Sequence, residues 1–351
     1  MSIFLIDTER KKSVESKGRF GRALHHMYLI GLPGLAAGLF LAVYVPRLKP
    51  VANVIFLFAG FHLVGVVIVL ASLYAMAGKR IVRHQAGRPH ESSQAMNKFD
   101  FGWAPAMTIG PWTAALAAAS GAVAVQVTAP ALWPLSFLLV LLAAGFFAGY
   151  LIASSFKRPD YAALPMVNWL SGDSDLVLDG GCGAGRTTVS VGRILKKGSI
   201  VAVDRFDASY IKKGGRYLLE QNLRLAGLED RVRIVQGDLT RLPFPDQMFG
   251  SAVSTHAVDH LGSQKEQGMR EMLRVLKPGG RFLLVISVSG WTTLALANVL
   301  FFIVFFVTGK GEWKQMASRA GFKIVDEGGF NGTWFMLLER PSALDSIELP
   351  V

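Results

Sequence analysis

Four long apolar stretches crowd the first 155 residues, at about 24–46, 51–77, 105–127 and 131–155, and they restrict what this chain can fold into more than any other feature. Each reaches the ~20 residues that cross ~30 Å of hydrocarbon at ~1.5 Å per residue. The second (VANVIFLFAGFHLVGVVIVLASLYAMA) and the fourth (LWPLSFLLVLLAAGFFAGYLIASS) are apolar almost throughout. The third is rich in Ala and Gly and contains Pro111, and small residues at that density suit close helix–helix contact in a bilayer. A buried helix of a soluble core explains one such stretch, but four in succession predict a membrane domain.

Composition and charge agree. Apolar residues make up 51% of the chain and charged residues 18%, a balance expected when segments lie in lipid. The net charge of +12 raises the question of nucleic acid, so its location decides. Residues 1–158 hold 15 Lys and Arg against 5 Asp and Glu, whereas residues 159–351 hold 22 against 20. A nucleic-acid enzyme carries its excess on the catalytic half, where it neutralises phosphates. Here the excess flanks the apolar stretches, and no nucleic-acid partner is expected.

Loop charges set an orientation. Residues 1–26, 78–104 and 157–158 contribute thirteen Lys and Arg to one side, and only Arg47 and Lys49 fall on the other. The positive-inside rule then predicts a multi-pass protein of a bacterial cytoplasmic membrane, with both termini in the cytoplasm. The basic start lacks the form of a secretory signal. Residues 8–26 read equally as a segment lying on anionic headgroups or as a solvated tail. The single cysteine, Cys182, excludes an internal disulfide and all-cysteine metal sites.

The expected organisation is a basic segment (1–26), four transmembrane helices (27–155), a linker (156–172) and a second domain (173–351). In the last of these, short apolar strands alternate with helices. Strands are expected at Asp175–Gly180, Ser199–Asp204, Val232–Gly237, Gly250–Ser254, Arg281–Ser287, Phe322–Asp326 and Thr333–Leu338. Helices are expected at about 186–196, 208–227, 264–276 and 312–320. This alternation predicts an α/β Rossmann-like domain with a mostly parallel seven-stranded sheet, and ligands of such sheets bind beyond the carboxyl ends of the strands.

The first strand runs into VLDGGCGAG (177–185), where Asp179 ends the strand and Gly181, Gly183 and Gly185 allow a tight turn and a close ligand approach. The dinucleotide fingerprint G-x-G-x-x-G would need a glycine at 186, and the residue there is Arg186. An NAD-dependent reductase is therefore the least favoured reading. The second strand ends in Asp204, placed to accept both hydroxyls of a ribose. The third ends near Asp238, placed to accept from an adenine amino group. An Asp after a strand is often only a turn former, but three such strand ends in succession are harder to explain that way.

With these motifs, residues 175–287 resemble class I S-adenosylmethionine-dependent methyltransferases, most closely the ubiquinone/menaquinone-biosynthesis and sterol-type lipid methyltransferases. The resemblance is carried by VLDGGCGAG, VAVD, QGDLTRLPFPDQMFG and REMLRVLKPGGRFLLV. It implies S-adenosyl-L-methionine as cofactor. It further implies that Asp179, Gly180, Gly181, Cys182, Gly183 and Gly185 hold the methionine end, Asp204 the ribose, and Asp238 with Leu239 the adenine, with Arg205 beside them. Lys277–Gly280 would be a structural turn before the fifth strand. Gly250 departs from the family, which usually has Asp there, and is expected to loosen the start of the fourth strand.

Ser254, Thr255 and His256 fall where such enzymes border the transferred methyl group. His256 and His260 share a face if their stretch is helical. With Asp259 they form either a base or a metal pair, and the lack of a third ligand nearby disfavours a metal. A packing or capping histidine is the remaining reading of His256. The stretch 291–313 is apolar enough to dip into the membrane within an insert at about 289–311, with Trp291 and Trp313 as interfacial anchors and Lys310 and Lys314 at headgroups. A hydrophobic helix covering the sheet is the alternative. Tyr161 and Trp169 are expected to line the acceptor's path.

The function expected is methyl transfer to a lipid-phase acceptor: a quinone precursor, a phospholipid amine, or a sterol-, hopanoid- or carotenoid-like molecule. The bilayer and this hydrophobic substrate are the expected partners. Methylation of a membrane-protein side chain and a non-catalytic cofactor-binding sensor are the rivals.

Overall fold

A computed structural model of the chain describes residues 31–77, 99–102, 105–155, 164, 168–195, 197–209, 211–290, 307–330 and 333–342. The basic segment 8–26, Tyr161, Trp291 and most of the apolar insert lie outside them. The chain divides into two compact units.

The first unit is helical. Its helices are α1 (Leu32–Tyr44), α2 (Lys49–Ala77), α3 (Pro105–Thr128) and α4 (Trp133–Ser155). Pro46 and Pro130 force the residues before them, Val45 and Ala129, out of the helical region, and each opens a 3₁₀ turn. Small residues make the contacts. A Cβ on Gly34 would lie 3.0 Å from the Ala59 methyl, and one on Gly38 would lie 2.9 Å from the Phe56 ring. Gly65 faces Ala144 across α2 and α4, and the Phe61 and Phe147 rings meet at 5.9 Å. Ala52, Ala59, Ala143, Ala144 and Ala148 are fully buried, whereas Phe40, Phe58, Val67, Phe137 and Leu138 face outward. Among the described residues, Pro46–Ile68 and Pro130–Tyr150 are long and apolar enough to cross a membrane. That is two stretches against the four expected. α1 is described over only 13 residues, and the Ala, Gly and Thr content of α3 lowers its hydropathy.

The second unit is a seven-stranded mixed sheet. Its strands are β1 (Leu176–Gly180), β2 (Ser199–Asp204), β3 (Val232–Gln236), β4 (Phe249–Thr255), β5 (Leu276–Ile286), β6 (Lys323–Phe330) and β7 (Thr333–Glu339). The order is β3-β2-β1-β4-β5-β7-β6; β7 alone runs against its neighbours, and the other pairs are parallel. The helices are α5 (Arg186–Ile194), α6 (Arg216–Ala226), α7 (Lys265–Val275) and α8 (Lys310–Ala320). Met269, Met272 and Trp313 bury one face of the sheet, and Val189, Leu219 and Leu223 bury the other. Chain order reverses between β1 and β4, which opens the crevice at their carboxyl ends.

The structure departs from several features expected of the sequence. Lys277–Gly280 is no turn before β5 but lies within it, in a bulged pairing that Gly279 accommodates at φ +73°. Gly250 does not loosen β4. The Asp175 carboxylate occupies the space, 2.1 Å from where a Cβ would stand, and binds the Ser251 hydroxyl. The helix expected at 208–227 starts only at Arg216, behind Gly215 in the left-handed region at φ 95°. Trp313 and Trp169 are buried in the two sheet cores and serve neither as an interfacial anchor nor as an entrance. Lys314 pairs with Glu327 at 2.6 Å.

Candidate cofactor and methyl-transfer site

The loop after β1 is shaped by close contact. Gly181 and Gly185 have φ of 78° and 85°, and a Cβ on Gly181 would stand 2.0 Å from that of Ala257. Only glycine fits there without displacing the β4 loop. The Gly181 and Cys182 amides both donate to the Val203 carbonyl, at 2.8 and 3.1 Å, tying the loop to β2. Cys182 is buried, and burial pushes its thiol up, so it remains an unreactive packing group.

Asp204 joins three strand ends. One carboxylate oxygen accepts from the Gly183 amide at 2.9 Å, the other from the Phe206 amide at 2.7 Å, and its carbonyl accepts from the Gly237 amide at 3.0 Å. Each carboxylate oxygen keeps a further lone pair. Asp238 accepts from the Thr240 amide at 2.8 Å and hydroxyl at 2.7 Å, and these bonds, followed by the charge of Arg205 at 3.8 Å, hold its carboxyl below the ordinary range. The Leu239 side chain lies in the core against Gly180 and Gly181. Only its backbone remains for a ligand.

Asp179 is fully buried. One oxygen accepts from the Thr188 hydroxyl at 2.6 Å, and the other has no partner among the described residues. Burial pushes its carboxyl up to about 7, Thr188 opposes this, and Asp204 adds to it. An orphaned buried carboxylate oxygen beside a glycine cradle fits the ammonium end of S-adenosylmethionine. Thr188 could not be picked from the sequence, because its role depends on α5 folding back beside β1.

At the end of β4 the stretch 256–262 is not an α-helix. His256 has a left-handed backbone (φ 52°), and a 3₁₀ turn follows at Val258–His260, so His256 and His260 do not stack on one helical face. Among the described residues no group of three or more His, Cys, Asp or Glu is arranged for a metal. The His256 amide donates to the Val285 carbonyl at 2.8 Å, and its Nδ1 lies 3.5 Å from Asp259. The Asp259 carboxylate also accepts from the Ser287 amide at 3.2 Å. Burial raises the Asp259 carboxyl, but His256, His260 and Ser287 outweigh it and bring it below its ordinary value. The Ser254 and Thr255 hydroxyls and the second Asp259 oxygen are buried without a partner among the described residues. A half-exposed imidazole backed by an ionised carboxylate is able to take a proton.

Residues 178–284 match the family model described as "Methyltransferase domain". The chain is similar to the ubiquinone/menaquinone biosynthesis C-methyltransferase UbiE of Azotobacter vinelandii, with 36% identity over 123 residues, 35% of this chain and 46% of that one. Its counterpart in Pectobacterium atrosepticum is 34% identical over 109 residues, 31% of this chain and 41% of that one. The chain thus spans less than half the length of these relatives. Among solved structures, a SAM-dependent methyltransferase from Methanosarcina mazei aligns with TM-score 0.41 and 20% identity, covering 50% of this chain and 96% of that one. Over residues 178–284 the chain carries a methyltransferase domain.

Proposed function

We propose that this domain transfers a methyl group from S-adenosylmethionine to an acceptor dissolved in the lipid phase, at the cytoplasmic surface of the membrane in which the first unit sits. The observation that carries this reading is the inverted build of the helical unit, with alanines and glycines inside and large apolar side chains outside. Water disfavours such a surface, whereas lipid accepts it. The placement of Lys and Arg agrees. Similarity to enzymes named for ubiquinone and menaquinone biosynthesis favours a quinone-type aromatic carbon as the acceptor atom.

The bound cofactor supplies an electrophilic methyl group, so the protein's work is alignment, for which ~7–11 kcal/mol is attainable in favourable cases. Asp179 holds the ammonium end, and Asp204 the ribose beside Gly183. Ser254 and Thr255 border the transfer path. His256 turns Nδ1 towards Asp259, which leaves Nε2 to take the phenolic proton as the acceptor's ring carbon bonds to the methyl group and the methyl–sulfur bond breaks; the hydrogen on that ring carbon then moves to the phenolic oxygen and restores the aromatic ring. Asp259 positions the imidazole and stabilises its charged form.

Lipid extracts of cells with and without the protein test this by mass spectrometry. One lipid species should be a methylene heavier in the presence of the protein. Identical lipid profiles together with a newly methylated membrane protein would replace this reading with side-chain methylation.

A further inference from the structure

Four residues that lie in sequence between α2 and α3 are built into the methyltransferase unit. Phe99 is buried in the sheet core with Val177 and Leu223. Asn222 of α6, 1% exposed, holds Asp100 on both sides: its Oδ1 accepts from the Asp100 amide at 3.1 Å, and its Nδ2 donates to the Asp100 carbonyl at 2.8 Å. The same Nδ2 donates to the Ala184 carbonyl in the glycine loop, also at 2.8 Å. Gly102, at φ +79°, is so close that a Cβ would stand 2.7 Å from Leu218 and 2.8 Å from Ile211. The Arg186 guanidinium lies 4.7 Å from the centre of the Phe101 ring, and the Phe99 and Phe101 rings stack at 5.9 Å.

We propose that Phe99–Gly102 is a strap that positions the glycine loop, so that cofactor affinity depends on a segment some 75 residues upstream of the domain's first strand. Asn222 is the joint, because one side-chain amide binds the strap and the loop together. Arg186, which takes the place of a third fingerprint glycine, fastens the strap through Phe101; a guanidinium at this distance from a ring is attracted to its face. Among the described residues, the loop amides of Gly181, Cys182 and Gly183 are bonded to β2 through Val203 and Asp204. The strap therefore fixes the side of the loop that the sheet does not reach. The inference rests on cofactor binding by the domain and not on the identity of the acceptor.

Isothermal titration of the full-length protein in detergent with S-adenosylmethionine tests it, using Phe101→Ala, Asn222→Ala and Phe101→Tyr. The two alanine variants should bind the cofactor about fivefold more weakly, in line with the loss of about one hydrogen bond or one cation–ring contact. Their amides at 181–185 should exchange hydrogen faster, and Phe101→Tyr should bind as the parent does. Phe101 is only half-buried, so its alanine variant decides the matter if Asn222→Ala fails to fold. Parental affinity and exchange in folded alanine variants would overturn the strap alone, whereas a parent that binds no cofactor would overturn the site and the strap together.

Discussion

The Thr188 hydroxyl donates to one oxygen of Asp179 at 2.6 Å, while the other oxygen of this fully buried carboxylate has no partner among the described residues. Burial raises the carboxyl's value to about 7, so the proposed pairing with the cofactor's ammonium group requires it to shed a proton. Cofactor affinity should rise about fivefold between pH 6 and pH 7, and Asp179→Asn should flatten that rise while weakening binding. Calorimetry in two buffers of different ionisation enthalpy reads the released proton directly. The folded value lies above the ordinary aspartate value of 3.8. The group favours folding most below that value, and the advantage is lost as pH rises through about 7. The cofactor-free protein should lose melting temperature across this window more steeply than Asp179→Asn does.

Asp204 serves both the loop and the ligand. Asp204→Ala should reduce cofactor affinity by about 1–3 kcal/mol, because it removes the acceptor for the Gly183 amide together with the proposed ribose contact. Titration with S-adenosylmethionine checks this, and unchanged affinity would refute the ribose assignment.

The left-handed backbone of His256 allows a clean substitution. Asparagine tolerates that conformation but supplies no base. His256→Asn should lower turnover by about 10²–10⁴ and leave cofactor affinity near that of the parent. Asp259→Asn should lower turnover less and shift the pH profile of the reaction. Parental turnover in His256→Asn would make the histidine structural.

Gly250 and Asp175 compete for one space. Gly250→Ala places a methyl group 2.1 Å from the Asp175 carboxylate and should lower the melting temperature. Adding Asp175→Ala should recover part of that loss, a non-additive pair that a double-mutant cycle measures.

The sheet was legible because each strand carries its own signal. The apolar runs ending in Asp179, Asp204 and Asp238 placed three strand ends, and six of the seven expected strands begin within one residue of the observed start. The exception, β5, extends back through Lys277–Gly280, because the bulge beside Gly279 pairs with β4 in a way that local turn chemistry does not reveal. Trp313 and Trp169 were misread for a related reason. An aromatic residue beside an apolar run looks the same whether it faces headgroups or a core, and only tertiary contact separates the two. Asn222 and the strap at 99–102 gave no signal, since their partners lie 122 residues apart in the chain. His256 and His260 seemed to share a helical face only because spacing was read without the positive φ that breaks the turn.

The destination of the methyl group separates a lipid acceptor from a protein one. The full-length protein, reconstituted in vesicles made from its own host's lipid extract, should be given S-adenosylmethionine labelled in the methyl group, and the organic phase and the protein then counted separately. Label in the organic phase, lost in His256→Asn, is the predicted result. Label confined to protein, or no label transferred by a protein that binds the cofactor, would contradict it.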